Sequence, residues 1–194
     1  MKQLNNFILE KLKINSKSKI NQYNYFPKHK KELIEIIKKK YQEIQKPNIY
    51  GNLTPPKDIL DLNDIDISKI TDLSYLFEYI KPIKVDMNNW DVSHVTDIHG
   101  LFWTNNIVEE IHIENWDVRN IESVYGAFYF CTNIKELNLD NWEFKKCTEF
   151  NLMFKGCEKL DTHFTDNWTM PTTHHITTNE MFEGCKYKPQ WYHE

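Results

Sequence analysis

The stretch Ile134-Lys135-Glu136-Leu137-Asn138-Leu139-Asp140-Asn141-Trp142-Glu143-Phe144 alternates apolar and polar residues and then sets a Trp three residues past the last Leu. Alternation of period two marks a strand with one buried face. The same frame returns along the chain. Trp90, Trp116, Trp142 and Trp168 stand 26 residues apart, and Phe102, Phe128 and Phe154 each follow a Trp by 12. Phe182 follows Trp168 by 14, which places a two-residue insertion near Pro171. Ile65 and Phe77 fill the same two slots in an earlier unit that lacks its Trp, giving five units. A short fixed period is the signature of stacked supersecondary units that cannot bury their apolar faces alone. Fold class expected: α/β, a leucine-rich-repeat-like solenoid of about five 26-residue coils with a small N-terminal α/β cap. Each coil would have a strand side, a turn and a short helical or irregular return.

Trp90-Asp91-Val92-Ser93-His94-Val95-Thr96-Asp97-Ile98, Met153-Phe154-Lys155-Gly156-Cys157 and Met181-Phe182-Glu183-Gly184-Cys185 carry a family resemblance. With them the sequence resembles the BspA-like leucine-rich repeat proteins, over about residues 58 to 191. That resemblance implies the repeat architecture and does not assign an activity, because fold and function are separable. The family it resembles includes surface and adhesion proteins of bacteria and protozoa and proteins of phages and large DNA viruses. The fifth unit departs from the pattern, with His163 and Thr165 in the slots that Leu137 and Leu139 fill one unit earlier. It reads as the end of the stack, where an atypical unit is expected.

Three segments follow. Residues 1–57 form a basic N-terminal cap with one amphipathic helix, residues 58–185 the repeats, and residues 186–194 a C-terminal lid built on Trp191 and Tyr192. In the cap, Pro27 opens a helix with Leu33, Ile37, Tyr41 and Ile44 on one face, and Pro47 stops it. Leu12, Ile14 and Ile20 suggest a short strand or hairpin before it.

The 194 residues carry a formal net charge of −4 that hides a division. Residues 1 to 50 hold 12 Lys and 4 Glu, so the rest of the chain is strongly acidic. Such asymmetry speaks to partners and steering rather than to fold. The lysines Lys28, Lys30, Lys31, Lys38, Lys39 and Lys40 lack the interleaved Arg and aromatic residues of a base-reading surface, so they read as a solvated face balancing the acidic body. No window is apolar enough to span a membrane, and Glu10, Lys11 and Lys13 fall where a signal peptide needs its apolar stretch. The expected localisation is therefore cytoplasmic, in a bacterium or an infected host cell, with a virion also open. The sequons at Asn52 and Asn167 then read as chance.

Enzyme chemistry finds little support. Cys131, Cys157 and Cys185 share one slot and Cys147 an apolar one, which reads as buried reduced thiols, since the paired spacing of a zinc site is missing. His174-His175 reads as part of a solvated loop. The five Gly, mainly at the repeated positions Gly100, Gly126, Gly156 and Gly184, leave little room for a phosphate cradle. The Trp column reads as core rather than a stacking platform. The chain is expected to be no enzyme, with no cofactor and no metal.

Outward strand positions follow from the repeat phase. They are Lys84, Asp86 and Asn88; Glu110, His112 and Glu114; Glu136, Asn138 and Asp140; Thr162, Phe164 and Asp166. The expected site is an acidic ledge of Asp86, Asn88, Glu110, His112, Glu114, Glu136, Asn138, Asp140 and Asp166, with Phe164 as an exposed apolar anchor. It would dock a protein partner with a basic or polar surface, nucleic acid and membrane being set aside, on a monomer or weak oligomer. A phage or mobile-element product acting on a host protein would suit this reading. A structural or virion assembly component and an acidic nucleic-acid mimic stand as alternatives.

Overall fold

The computed structural model describes residues 23–47, 50–51, 53–172 and 175–193. The expected hairpin around Leu12 to Ile20, the sequon residue Asn52 and His174 lie outside them. Helix α1 spans Lys30–Ile44. The His29 ring accepts a hydrogen bond from the Glu32 backbone N–H at the N-cap, and Glu32 accepts one back from the Lys28 N–H. These reciprocal bonds occupy donors that a helix start otherwise leaves orphaned. Leu33 and Ile37 are fully buried, and Ile34, Tyr41 and Ile44 pack at the edge of the same core.

Three short strands follow, β1 (Leu60–Asp61), β2 (Lys84–Asp86) and β3 (Glu110–His112). They form one parallel sheet in the order β1-β2-β3, with Val85 paired to Leu60 on one side and to Ile111 on the other. This corrects the expected fold class. Among the described residues there is one α-helix and a small open three-stranded parallel sheet, in place of five leucine-rich-repeat coils with a strand each. The return segments are turns rather than helices. In the fourth unit only Glu136 bridges to the sheet, through Glu110. In the fifth, His163–Thr165 coil into a single turn of 3-10 helix.

The reason lies in residues that stop each strand almost as it starts. Asp61, Asp86 and Asn138 each turn a side-chain oxygen onto the backbone N–H two residues ahead, at 2.9 Å in all three cases. Such local bonds compete with the ladder for the backbone.

The 26-residue period survives as a period of contacts. Single parallel bridges run Asp72↔Asp97, Asp97↔Ser123, Ser123↔Glu149 and Glu149↔Thr177. The core rings stack in a column, Phe77 on Phe102, Phe102 on Phe128, Phe128 on Phe154 and Phe154 on Phe182, with centroids 4.5 to 6.0 Å apart. Trp90, Trp116 and Trp142 stack at 6.3 Å, and all four repeat Trp are buried.

Each of these indoles also has a polar function. Trp90 donates its N–H to the carbonyl of Leu62, Trp116 to Met87, Trp142 to Ile113 and Trp168 to Leu139, at 2.8 to 3.4 Å. The same carbonyls accept a backbone N–H from three residues ahead, from Ile65, Trp90, Trp116 and Trp142 respectively. One lone pair closes the local turn and the other holds the next unit. Cys131, Cys157 and Cys185 pin units in the same way, their thiols donating to the carbonyls of Phe102, Phe128 and Phe154 at 3.0 to 3.3 Å.

The basic head is tied to the first unit by charge. Lys30 reaches Asp72 at 3.0 Å and Lys40 reaches Asp64 at 2.8 Å, while the Tyr41 hydroxyl donates to the Lys81 carbonyl. Burial raises the pKa of Asp64 and of Asp72, but hydrogen bonds outweigh it and hold both carboxyls below the usual range. The bonds come from Lys40 and Asn24 at Asp64, and from Ser74 and Lys30 at Asp72.

Candidate functional site

Beyond strand β3 the surface opens into a cleft of about 580 Å³. Six of the expected ledge residues line it: His112, Glu114, Glu136, Asn138, Asp140 and Phe164. Lys135, Leu137, Asp161 and His163 complete the lining. Leu137 forms a buried floor, and the carboxylates of Glu114, Glu136, Asp140 and Asp161 outnumber the single lysine, so the cleft carries excess negative charge at neutral pH. His112 Nδ1 lies 3.3 Å from Glu114, and His163 contacts Asp161. The hydrogen bond from His163 holds the Asp161 carboxyl below the usual range.

The remaining expected residues lie outside this cleft, and their contacts explain why. Asp86 and Asn88 belong to the backbone scaffold: the Asp86 carboxylate accepts the Asn88 N–H, and the Asn88 side-chain oxygen Oδ1 accepts the Asn115 N–H at 2.8 Å. Glu110 is paired with Lys84 across the β2/β3 pair. Asp166 accepts the Tyr187 hydroxyl at 2.6 Å.

The fifth unit departs furthest from the expected phase. Its turn of 3-10 helix buries Thr162 and Thr165 and tips Phe164 into the core margin, where it meets Phe154 at 5.9 Å and Trp168 at 6.0 Å. Phe164 is therefore half-buried wall, not a free ring, because a period-two pattern cannot continue through a three-residue turn.

A second face was not anticipated. On the single-bridge ladder, Tyr75, Trp103, Tyr125, Tyr129 and Phe130 gather their rings, with Trp103 stacked 4.2 Å from Tyr129 and 6.1 Å from Tyr125. Two left-handed backbone positions bracket each of Phe102, Phe128, Phe154 and Phe182, and Phe77 has the first alone. The first is held by Tyr75, Gly100, Gly126, Leu152 and Glu180, and the second by Thr104, Phe130, Gly156 and Gly184. At Gly126, φ is +53°, and a Cβ would lie 2.4 Å from the Trp103 ring. Glycine is required twice over, by conformation and by the ring laid across it. The sequence held a signal for this face: Trp103 and Tyr129 also stand 26 apart.

Among the described residues no group of three or more His, Cys, Asp or Glu side chains is placed to hold a metal ion. No helix there is long and apolar enough to cross a membrane. The repeated turns and their indole and ring columns define a repeat protein of the family described as "Mycoplasma protein of unknown function, DUF285", whose sequence model matches residues 53–168. The chain belongs to this family. No curated protein and no solved structure gives a significant match.

Proposed function

We propose that the protein is a non-catalytic interaction module, related in its repeat sequence to BspA-like proteins, that docks a protein with a basic surface on the cleft beside Glu136. The observation that carries this reading is the convergence of four carboxylates, Glu114, Glu136, Asp140 and Asp161, around one open cleft with an apolar floor. Charge of one sign steers and selects a partner of the other, while a desolvated apolar centre holds it.

The test replaces Glu114, Glu136 and Asp140 together by Lys and compares capture of partners from the natural host by the two proteins. A partner held by the wild type, released by salt and lost with the triple variant supports the reading, provided the circular dichroism of the two proteins agrees. Partners retained equally by both would move the function off this cleft.

A further inference from the structure

Of the six Trp, five have a structural acceptor: Trp90, Trp116, Trp142, Trp168 and Trp191 each donate the indole N–H to a backbone carbonyl of an earlier unit. Trp103 is the sixth. It lies half-buried on the second face, and among the described residues its N–H has no acceptor. The hydroxyls of its neighbours Tyr75, Tyr125 and Tyr129 have no protein partner there either. Phe130, 39% exposed, lays one face over Gly156, so that its other face is turned outward. Rings with spare donors at their edges are amphipathic, and they suit a ligand that offers both C–H surface and oxygen acceptors.

Charge decides which such ligand. In a chain with an acidic body, only part of the charge around this face is paired with an opposite charge. Asp72 is paired with Lys30 and Lys155 with Glu180 and Glu183, while Asp97 lies against the His99 ring. Glu149 accepts from the Ser123 hydroxyl, and Lys81 donates to the Thr104 carbonyl. A polyanion would meet the surrounding acidic surface, and a cation offers no acceptor to the spare N–H and O–H donors at the rings. The complementary ligand is uncharged and rich in hydroxyls.

We propose that the face formed by Tyr75, Trp103, Tyr125, Tyr129 and Phe130 binds a neutral oligosaccharide. Pyranose C–H faces would stack on the rings, and sugar hydroxyls would accept from the Trp103 N–H and the phenols. The site is separate from the acidic cleft, and it stands or falls without it.

The test titrates the full chain with neutral gluco-, xylo- and N-acetylated chito-oligosaccharides, following Trp fluorescence and isothermal heat. Binding by at least one series is expected, unchanged in Glu136→Lys. Trp103→Ala should abolish it. Trp103→Phe, which keeps a ring and loses the N–H, should weaken it about tenfold, the equivalent of one lost hydrogen bond to a neutral acceptor. Binding by none of the series, or equal binding by folded wild type and Trp103→Phe, overturns the proposal. So does a preference for a proline-rich peptide, the other neutral ligand that aromatic grooves take.

Discussion

The indole N–H of Trp191 donates to the carbonyl of Thr165 at 2.8 Å, the same bond by which Trp168 reaches Leu139. Thr165 also accepts the Trp168 backbone N–H, so Trp191 completes the two-acceptor pattern although it follows Trp168 by 23 residues. With Tyr192 it closes over Phe182, the last ring of the core column. Trp191→Phe should cost about 1 kcal/mol, the net worth of one hydrogen bond. Trp191→Ala, which also uncovers Phe182, should cost about 3 kcal/mol. Urea midpoints followed by circular dichroism measure both, and equal midpoints for the two variants would remove the lid assignment.

The left-handed positions make a paired prediction. Gly126→Ala sets a methyl against Trp103 at a φ that L residues avoid, and should destabilise by about 2 kcal/mol or more. Thr104, a β-branched residue at φ 52°, is the reverse case. Thr104→Gly should stabilise by about 1 kcal/mol. A thermal shift of the same sign for both substitutions would contradict the account.

Asn105 occupies the slot that Cys131, Cys157 and Cys185 fill in later units. It is fully buried, and its side-chain oxygen has no partner among the described residues. Asn105→Cys replaces a desolvated amide by a thiol that fits this column. An increase in stability of about 1 kcal/mol is expected, read from the denaturation midpoint.

The thiols should also shape the high-pH limb of stability. Burial pushes Cys147 and Cys185 up to about 12 and raises Cys131 and Cys157 well above the ordinary thiol range. An unfolded Cys titrates near 8.5, so above that pH the unfolded chain releases protons that the folded chain retains. Stability is full below about pH 8.5 and falls as pH rises beyond it. Replacing Cys147 by Val should flatten this decline, and thiol reagents at pH 8 should modify the partly exposed Cys185 ahead of the three buried cysteines.

At the other end of the scale, the carboxyls of Asp64 and Asp72 hold the basic helix. Because their folded pKa values are depressed, their contribution is complete above about pH 4 and is lost as pH falls through the folded values. Lys40→Met should shift the acid unfolding midpoint upward by removing the strongest hydrogen-bonding cause at Asp64. An unchanged midpoint would show that the helix is held by Leu33 and Ile37 alone.

How much of this was legible follows from which interactions are periodic in type. The 26-residue spacing of Trp90 to Trp168 and of Phe102 to Phe154 gives the unit boundaries and the buried columns, since a ring that must stack on its equivalent has to recur. The first helix is legible for the same reason, through Leu33 and Ile37. The secondary structure of the units is not, because Asp86 and Asn138 read as outward strand residues by phase yet, like Asp61, act as turn formers through their side chains. The cleft was half legible: the run from His112 to Asp140 keeps its phase, and the departure begins at Thr162. Trp103 escaped notice because it stands outside the main Trp register.

The double use of the carbonyls at Leu62, Met87, Ile113, Leu139 and Thr165 has a genealogical consequence. Each indole bond, ring stack and bridge in these columns joins one unit to the next, and the second bond to each carbonyl stays within its unit, so excising or duplicating one interior module rejoins equivalent partners. A lineage built this way can lengthen or shorten in whole steps, whereas a one-residue slip anywhere between two indoles would break each column at once.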